Sequence, residues 1–199
     1  AIAKISGLKL CEALRKQHNF DAIAVMPTNI YGPGDNYHSS DSHVFASFIR
    51  RFVMAKKSNL KSVTCWGSGQ PLREFLHVDD LASACIFLLE NWNPDNFDAP
   101  KDIKGNKLSF INIGTGTDLS IKSLAELVAK YCDFKGDILW DKSKPDGTLR
   151  KRLDISRINA LGWEPTIELN KGIETMVNQI NDELNKKLTK NKNLKNFFI

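Results

Sequence analysis

No stretch of this 199-residue sequence is apolar for longer than a buried strand or helix requires, so no helical membrane span is available and no membrane partner is expected. Glycine-rich phosphate loops are missing as well: neither GxGxxG after a strand nor GxxxxGK followed by Ser or Thr occurs. GxSxG, HExxH and HxxxH are also absent, which removes the hydrolase elbow and the helical zinc pair, and no metal site is expected. Cysteine is scarce, and Cys11, Cys65, Cys85 and Cys132 stand far apart and never as CxxC. Neither a zinc ribbon nor a redox pair fits that spacing, and the expectation is reduced thiols in a cytoplasmic protein.

The amino terminus, AIAKISGLKLCEALRKQ, has no basic head, apolar middle or small-residue cleavage site, so it does not read as a signal peptide. Its helical periodicity from the first residue reads as the middle of a helix whose beginning is missing. Surplus charge is confined to the other end. Between Leu184 and Ile199 stand Lys186, Lys187, Lys190, Lys192 and Lys195 and no acid, so the tail carries the whole formal net charge of +5. The body is balanced, and the tail is expected to be a frayed, solvated helix end, with no nucleic-acid partner.

With 42% hydrophobic side chains the chain can build a sizeable core. Its organising stretch is VMPTNIYGPGDNYHSSDSHVFASFIRRF, residues 25–52. An apolar strand that ends in a Pro/Gly/Asn/Asp loop is where open α/β sheets place ligands, because the strand's carboxyl end leaves a crevice. His43 adds a titratable group there, and Arg50 and Arg51 add fixed positive charge. That combination suits an anionic substrate undergoing proton transfer.

Residues 1–18 read as an amphipathic helix with Ile2, Ile5, Leu8, Leu10 and Leu14 on its buried side and Lys4 as a surface lysine. Residues 20–27 read as a fully buried parallel strand ended by Pro27. Asp41 or Ser42 is expected to cap the next helix, whose Phe45, Phe48, Ile49 and Phe52 form one buried stripe. Strands are expected at 63–66 and 73–78, then a helix from Leu81 to Asn91 capped by Asp79 or Asp80. An exposed loop over 92–107 leads to a strand at 110–113, and Gly114-Thr115-Gly116 reads as a connector into a helix capped by Ser120 and running to about Tyr131. A short strand at 138–140, a loop over 144–148 ending in Arg150-Lys151-Arg152, a short helix from near Ser156 stopped by Gly162, and a last helix from Leu169 to about Lys187 complete the chain. Strands and helices alternate, so the class is α/β.

AIAKISGLKLCEALRKQHNFDAIAVMPTNIYGPGDNYH, SHVFASFIRRF, WGSGQPLREFLHVDDLA, INIGTG and KPDGTLRK together resemble the extended short-chain dehydrogenase/reductase family over residues 1 to about 175. PTNIYGP, REFLHVDDLA and the Ala/Lys helix are common to many nucleotide-sugar epimerases and dehydratases. The spacing of His43, Arg51, Trp66 and Arg73, with the KPDG loop, is more particular to the 3,5-epimerase/4-reductase branch that acts on GDP-4-keto-6-deoxy-D-mannose. The resemblance implies the carboxyl-terminal part of a Rossmann-type NAD(P)-binding fold plus a smaller α/β substrate-binding domain. Residues 1–60 would be a Rossmann remnant that starts mid-helix, and 61–183 mainly the substrate domain, with 74–92 returning to the Rossmann core and 184–199 a basic tail.

The same resemblance implies NADP(H) as cofactor, a GDP-sugar as substrate and a homodimer in the full-length enzyme. Lys4 would hold the nicotinamide ribose and favour the phenolate of a tyrosine four residues earlier, the position just before Ala1, on the same helix face. Pro27, Thr28, Asn29 and Ile30 would lie along the nicotinamide, with His43 also touching the cofactor. His43 would be the acid in proton exchange at C3 and C5 of the sugar. Arg51 and Arg73 would grip the diphosphate, Trp66 would line the same pocket, and Asp146 would meet a sugar or ribose hydroxyl. Helical geometry puts Arg50 nearer the face of His43, but Arg51 is the family match. The tyrosine, the phosphate loop, a catalytic serine and the cysteine that partners the histidine are not in these residues, so the chain is expected to be inactive alone.

Plainer readings stand beside these. His43 next to an apolar stripe can be structural, and Asp146-Gly147 can be a simple turn. As a whole, the chain could instead be part of another NAD-dependent nucleotide-sugar epimerase or dehydratase, or a non-catalytic binding module that uses its basic tail.

Overall fold

The computed structural model of the chain describes residues 2–39 and 41–190, with side chains as far as Lys186; of the tail expected over 184–199, residues 184–190 continue the last helix, Leu184 being buried, and 191–199 lie outside the described residues. Helix α1 (Ile2–His18) leads to β1 (Ala24–Pro27) and β2 (Asn29–Tyr31), and α2 (Val44–Lys57) leads to β3 (Ser62–Trp66) and β4 (Leu72–His77). Then follow α3 (Val78–Asn91), β5 (Phe110–Ile113), β6 (Asp118–Ser120), α4 (Ile121–Tyr131), β7 (Asp137–Asp141), β8 (Arg150–Lys151), α5 (Ser156–Leu161) and α6 (Leu169–Lys190). The α/β class is as expected.

One extended segment, 24–31, divides between two partners. Its first half pairs in parallel with β5, from Ala24 opposite Phe110 to Pro27 opposite Ile113. Its second half pairs in parallel with β4, from Asn29 opposite Phe75 to Tyr31 opposite His77. Thr28 sits at the fork: its N–H donates to the Ile113 carbonyl at 3.0 Å and its hydroxyl to the Glu74 carbonyl at 3.2 Å. The Asn29 side-chain amide donates to that same carbonyl at 2.7 Å. The Glu74 carboxylate is fully buried and accepts the N–H groups of Thr115 (2.6 Å), Gly116 (2.7 Å) and Leu153 (2.8 Å). A Cβ at Gly114 would stand 2.2 Å from Glu74 Oε1, so only glycine permits this approach. The turn that reads as a connector in the sequence is therefore wrapped round an internal carboxylate, which satisfies its amides.

Strand β4 also pairs antiparallel with β6 and in parallel with β8, two short strands that the sequence reading missed because neither shows alternation. β3 pairs in parallel with β7. One core cluster holds the α2 stripe with residues from α4 and α6; a second lies among β1, β5, α3 and α5. Ser120 caps α4 by accepting the Ser123 N–H at 2.9 Å, and Gly162 ends α5 at φ 104°, both as the sequence indicates.

Several expectations need correction. None of the α1 residues is buried: Ile2, Ile5 and Leu10 are exposed and Leu8 and Leu14 only half-buried. The helix is attached by polar contacts instead, since Arg15 donates to Asp95, Asp21, Asn93 and the Ala22 carbonyl, and Ser109 donates to Glu12. An amphipathic pattern says that a face is suited to cover, not that this chain covers it. β1 is shorter than 20–27 and not fully buried, with Met26 and Pro27 exposed. The cap of α2 is His43 rather than Asp41 or Ser42, and its side chain makes no capping hydrogen bond. α3 begins earlier than expected and is capped by His77, whose Nδ1 accepts the Asp79 N–H at 3.2 Å. Asp79 and Asp80 fall instead within its first turn, where acids favour the helix dipole.

Tyr31 joins the sheet to the first core cluster, stacking on Phe45 at 4.2 Å and meeting His77 edge-on at 5.3 Å. α6 passes so close that a Cβ at Gly172 would lie 2.3 Å from the Tyr31 hydroxyl. Gly172→Ala is expected to destabilise the chain by about 1–3 kcal/mol, despite the better helix propensity of alanine, because the ring is held on its other sides. A lower urea midpoint at unchanged slope would show it.

Candidate active site

The fork opens into a cleft of about 510 Å³ whose lining includes Thr28, Asn29, Ile30, His43, Arg73 and Phe75. Thr28, Asn29 and Ile30 reach it because the strand changes partner there. The chain then turns through Gly34, at φ 82°, a conformation side chains avoid. His43 follows as the cap of α2 with extended backbone, and its carbonyl accepts the Ser47 N–H at 2.9 Å. Since its imidazole takes no part in capping, that ring is available to the cleft. Arg73 comes from β4 and donates to the Leu72 carbonyl at 2.7 Å.

Asp80 is buried and accepts from the Thr166 N–H, the Thr166 hydroxyl and the Ile167 N–H, each at 3.0 Å. Burial first, and Asp80 second, push the Tyr31 phenol well above its usual pKa. Among the described residues no three His, Cys, Asp or Glu side chains converge to hold a metal ion.

A second group gathers on the exposed face of β3. Arg51 donates to the Thr64 carbonyl, and Thr64 and Trp66 share that face by strand alternation. Trp66 is 72% exposed, with the Lys144 ammonium 5.7 Å from its ring centroid. Asp146 accepts the Ser68 N–H at 2.9 Å and the Ser68 hydroxyl at 2.6 Å, and these bonds hold its carboxyl below the usual range. A Cβ at Gly147 would lie 3.0 Å from the Arg73 guanidinium, so the KPDG loop bridges from the β3 face to the cleft.

The cleft thus brings together Thr28, Asn29, Ile30, His43 and Arg73, while Arg51, Trp66 and Asp146 lie outside its lining. Pro27 is exposed at the end of β1, and Lys4 is exposed on α1; neither lines the cleft. Arg50 turns towards the loop, donating to the Ser39 carbonyl at 3.4 Å. Tyr31, Asp35, Phe75 and Val78 also line the cleft and were not singled out in the sequence. Only Asp35 carried a signal, an acid directly after the glycine turn of the expected ligand loop.

Comparison with known proteins gives concordant results. The NAD dependent epimerase/dehydratase family model matches residues 1–103. GDP-L-fucose synthase 1 of Arabidopsis thaliana is 49% identical over 173 residues, which cover 87% of this chain and 50% of that protein. GDP-L-fucose synthase of Escherichia coli (strain K12) is 48% identical over 173 residues, covering 87% of this chain and 53% of that protein. Among solved structures, a GDP-6-OMe-4-keto-L-xylo-heptose reductase from C. jejuni superposes with a TM-score of 0.82 at 34% identity, covering 92% of this chain and 60% of that one. The chain spans about half the length of the curated relatives it matches.

Proposed function

The chain belongs to the NAD dependent epimerase/dehydratase family, and from that membership we propose that it serves the NADPH-dependent 3,5-epimerisation and 4-reduction of GDP-4-keto-6-deoxy-D-mannose to GDP-L-fucose. The observation that carries this reading is the cleft at the strand fork, whose lining includes both an imidazole free of capping duty and a guanidinium.

Protons at C3 and C5 are acidified by the neighbouring C4 ketone, and inversion requires one to leave from one face and another to arrive on the opposite face. His43 is the donor of the arriving proton, since imidazole can hold and release a proton near neutrality. Arg73 holds the diphosphate with charge-assisted hydrogen bonds. Arg51, Trp66 and Asp146 serve the outer part of the nucleotide, continuous with the cleft through Gly147.

Pro27, Thr28, Asn29 and Ile30 are the residues for the nicotinamide end of the cofactor, with Lys4 for its ribose and NADP(H) as the form used. The strand end suits a planar ring, because the rim beside it turns through Gly34 with nothing within 4 Å of where a Cβ would be. When bound, the cofactor supplies the hydride for C4. By the same reading residues 1–60 and 74–92 belong to the Rossmann part and the rest to 183 mainly to the substrate domain. The exposed Ile2, Ile5 and Leu10 on α1 support a homodimer through that helix, and the compartment this reading implies is the cytoplasm.

Titration of GDP into the purified chain by calorimetry tests the reading. Arg73→Ala is expected to weaken GDP about 10- to 100-fold with unchanged circular dichroism, the usual loss for a charge-assisted pair. Absence of GDP binding by the unmutated chain, or indifference to Arg73→Ala, would refute it.

A further inference from the structure

We propose that Asp35 recognises the hydroxyl groups of the hexose in the cleft and so decides which sugars the site admits. This rests on the nucleotide-sugar reading and adds to it a residue that no motif assigned. Asp35 lines the same cleft as His43 and Arg73. Its N–H donates to the Gly32 carbonyl at 3.3 Å, and its Oδ1 accepts the Asn36 N–H at 2.7 Å, so the backbone turn fixes where the carboxylate sits. Oδ2, in contrast, is buried and has no hydrogen-bond partner among the described residues. A buried carboxylate oxygen without a donor is among the most unfavourable polar groups a fold can keep, and it calls for an O–H or N–H.

The Tyr37 phenol, which feels the Asp35 charge, does not supply one. It is likewise buried and unpartnered. Burial, then Asp35 and Glu183, push its pKa up, which marks the two groups as neighbours that repel a charge on the phenol without bonding. Tyr37 is packed against the first core cluster, which restrains it. Among the described residues Asp35 is held through Oδ1 alone, and turning its carboxylate about that bond presents Oδ2 to the cleft that the residue lines.

Charge then sets the direction of the ligand. An acceptor-only carboxylate suits the neutral, hydroxyl-rich sugar, whereas Arg73 suits the diphosphate. The same carboxylate opposes a sugar bearing its own acid, so a nucleotide-linked uronate is disfavoured by like charge.

Calorimetry on the whole chain with GDP, GDP-mannose and GDP-mannuronate decides the matter. Asp35→Ala is expected to weaken GDP-mannose about tenfold and to leave GDP within about twofold, because only the sugar loses a partner. Asp35→Asn is expected to bring GDP-mannuronate to within about threefold of GDP-mannose, from a gap of about tenfold or more in the unmutated chain. Retained GDP binding shows that each variant is folded. Equal losses for GDP and GDP-mannose, or no loss at all, would overturn the role of Asp35 while leaving the nucleotide-sugar reading intact. So would Tyr37→Phe reproducing the effect of Asp35→Ala, since Asp35 would then act as a structural partner of Tyr37. If the unmutated chain binds none of the three, the nucleotide-sugar reading fails, and this proposal with it.

Discussion

Glu74→Ala is expected to remove about 3–6 kcal/mol of stability. The side chain is fully buried and its two oxygens receive three backbone N–H groups, from Thr115, Gly116 and Leu153. Each donor left without a partner costs about 1–3 kcal/mol, and alanine leaves all three. Against the ~5–15 kcal/mol that ordinary domains have, this populates the unfolded chain. Glu74→Gln should cost less, about 2 kcal/mol, because its oxygen still serves two amides while its NH2 opposes the third. Urea denaturation of the two variants beside Glu126→Ala, an exposed control expected within about 0.5 kcal/mol, measures the difference. A loss below ~1 kcal/mol for Glu74→Ala would mean that water replaces the carboxylate and that the fork does not depend on it.

The second large effect is chemical. In a fusion that places the amino-terminal part of the E. coli relative ahead of residue 1, His43→Gln is expected to slow deuterium uptake at C3 and C5 of the sugar by about 10²- to 10⁴-fold, the usual contribution of a positioned acid or base. Glutamine is close in size and cannot carry the proton. GDP affinity should change by less than about twofold, because the proposed role of His43 is at the sugar and not at the diphosphate. Arg73→Ala should show the opposite division, with affinity lost first. Undiminished exchange in His43→Gln would return His43 to its plainer role as the residue that starts α2.

How far the sequence foretells the structure depends on how local the signal is. The α2 stripe, the Ser120 cap and the Gly162 stop were legible because each is settled within one turn of chain. The caps of α2 and α3 were not: several residues with capping side chains stood near each start, and tertiary packing chose histidines instead. Thr28, Asn29, Ile30, His43 and Arg73 could be named in advance from the loop and from family resemblance, and the cleft brings them together. Glu74, by contrast, looks in sequence like any charged residue between an arginine and a phenylalanine. Nothing nearby reveals that its three donors lie beyond residue 114. The apolar side of α1 was legible as a pattern, but periodicity cannot say which molecule supplies the cover.

The forked segment also sets an order of events during synthesis. Residues 24–31 find their partners only at Phe75–His77 and Phe110–Ile113, so an apolar ribbon leaves the ribosome long before anything exists to zip onto it. Contacts this distant along the chain make assembly slow and expose the nascent product to wrong partners. Translation past Val78 supplies every residue that lines the hollow holding His43, but the fork beneath it is completed only once Ile113 has emerged, and chaperone demand should be greatest just before that point.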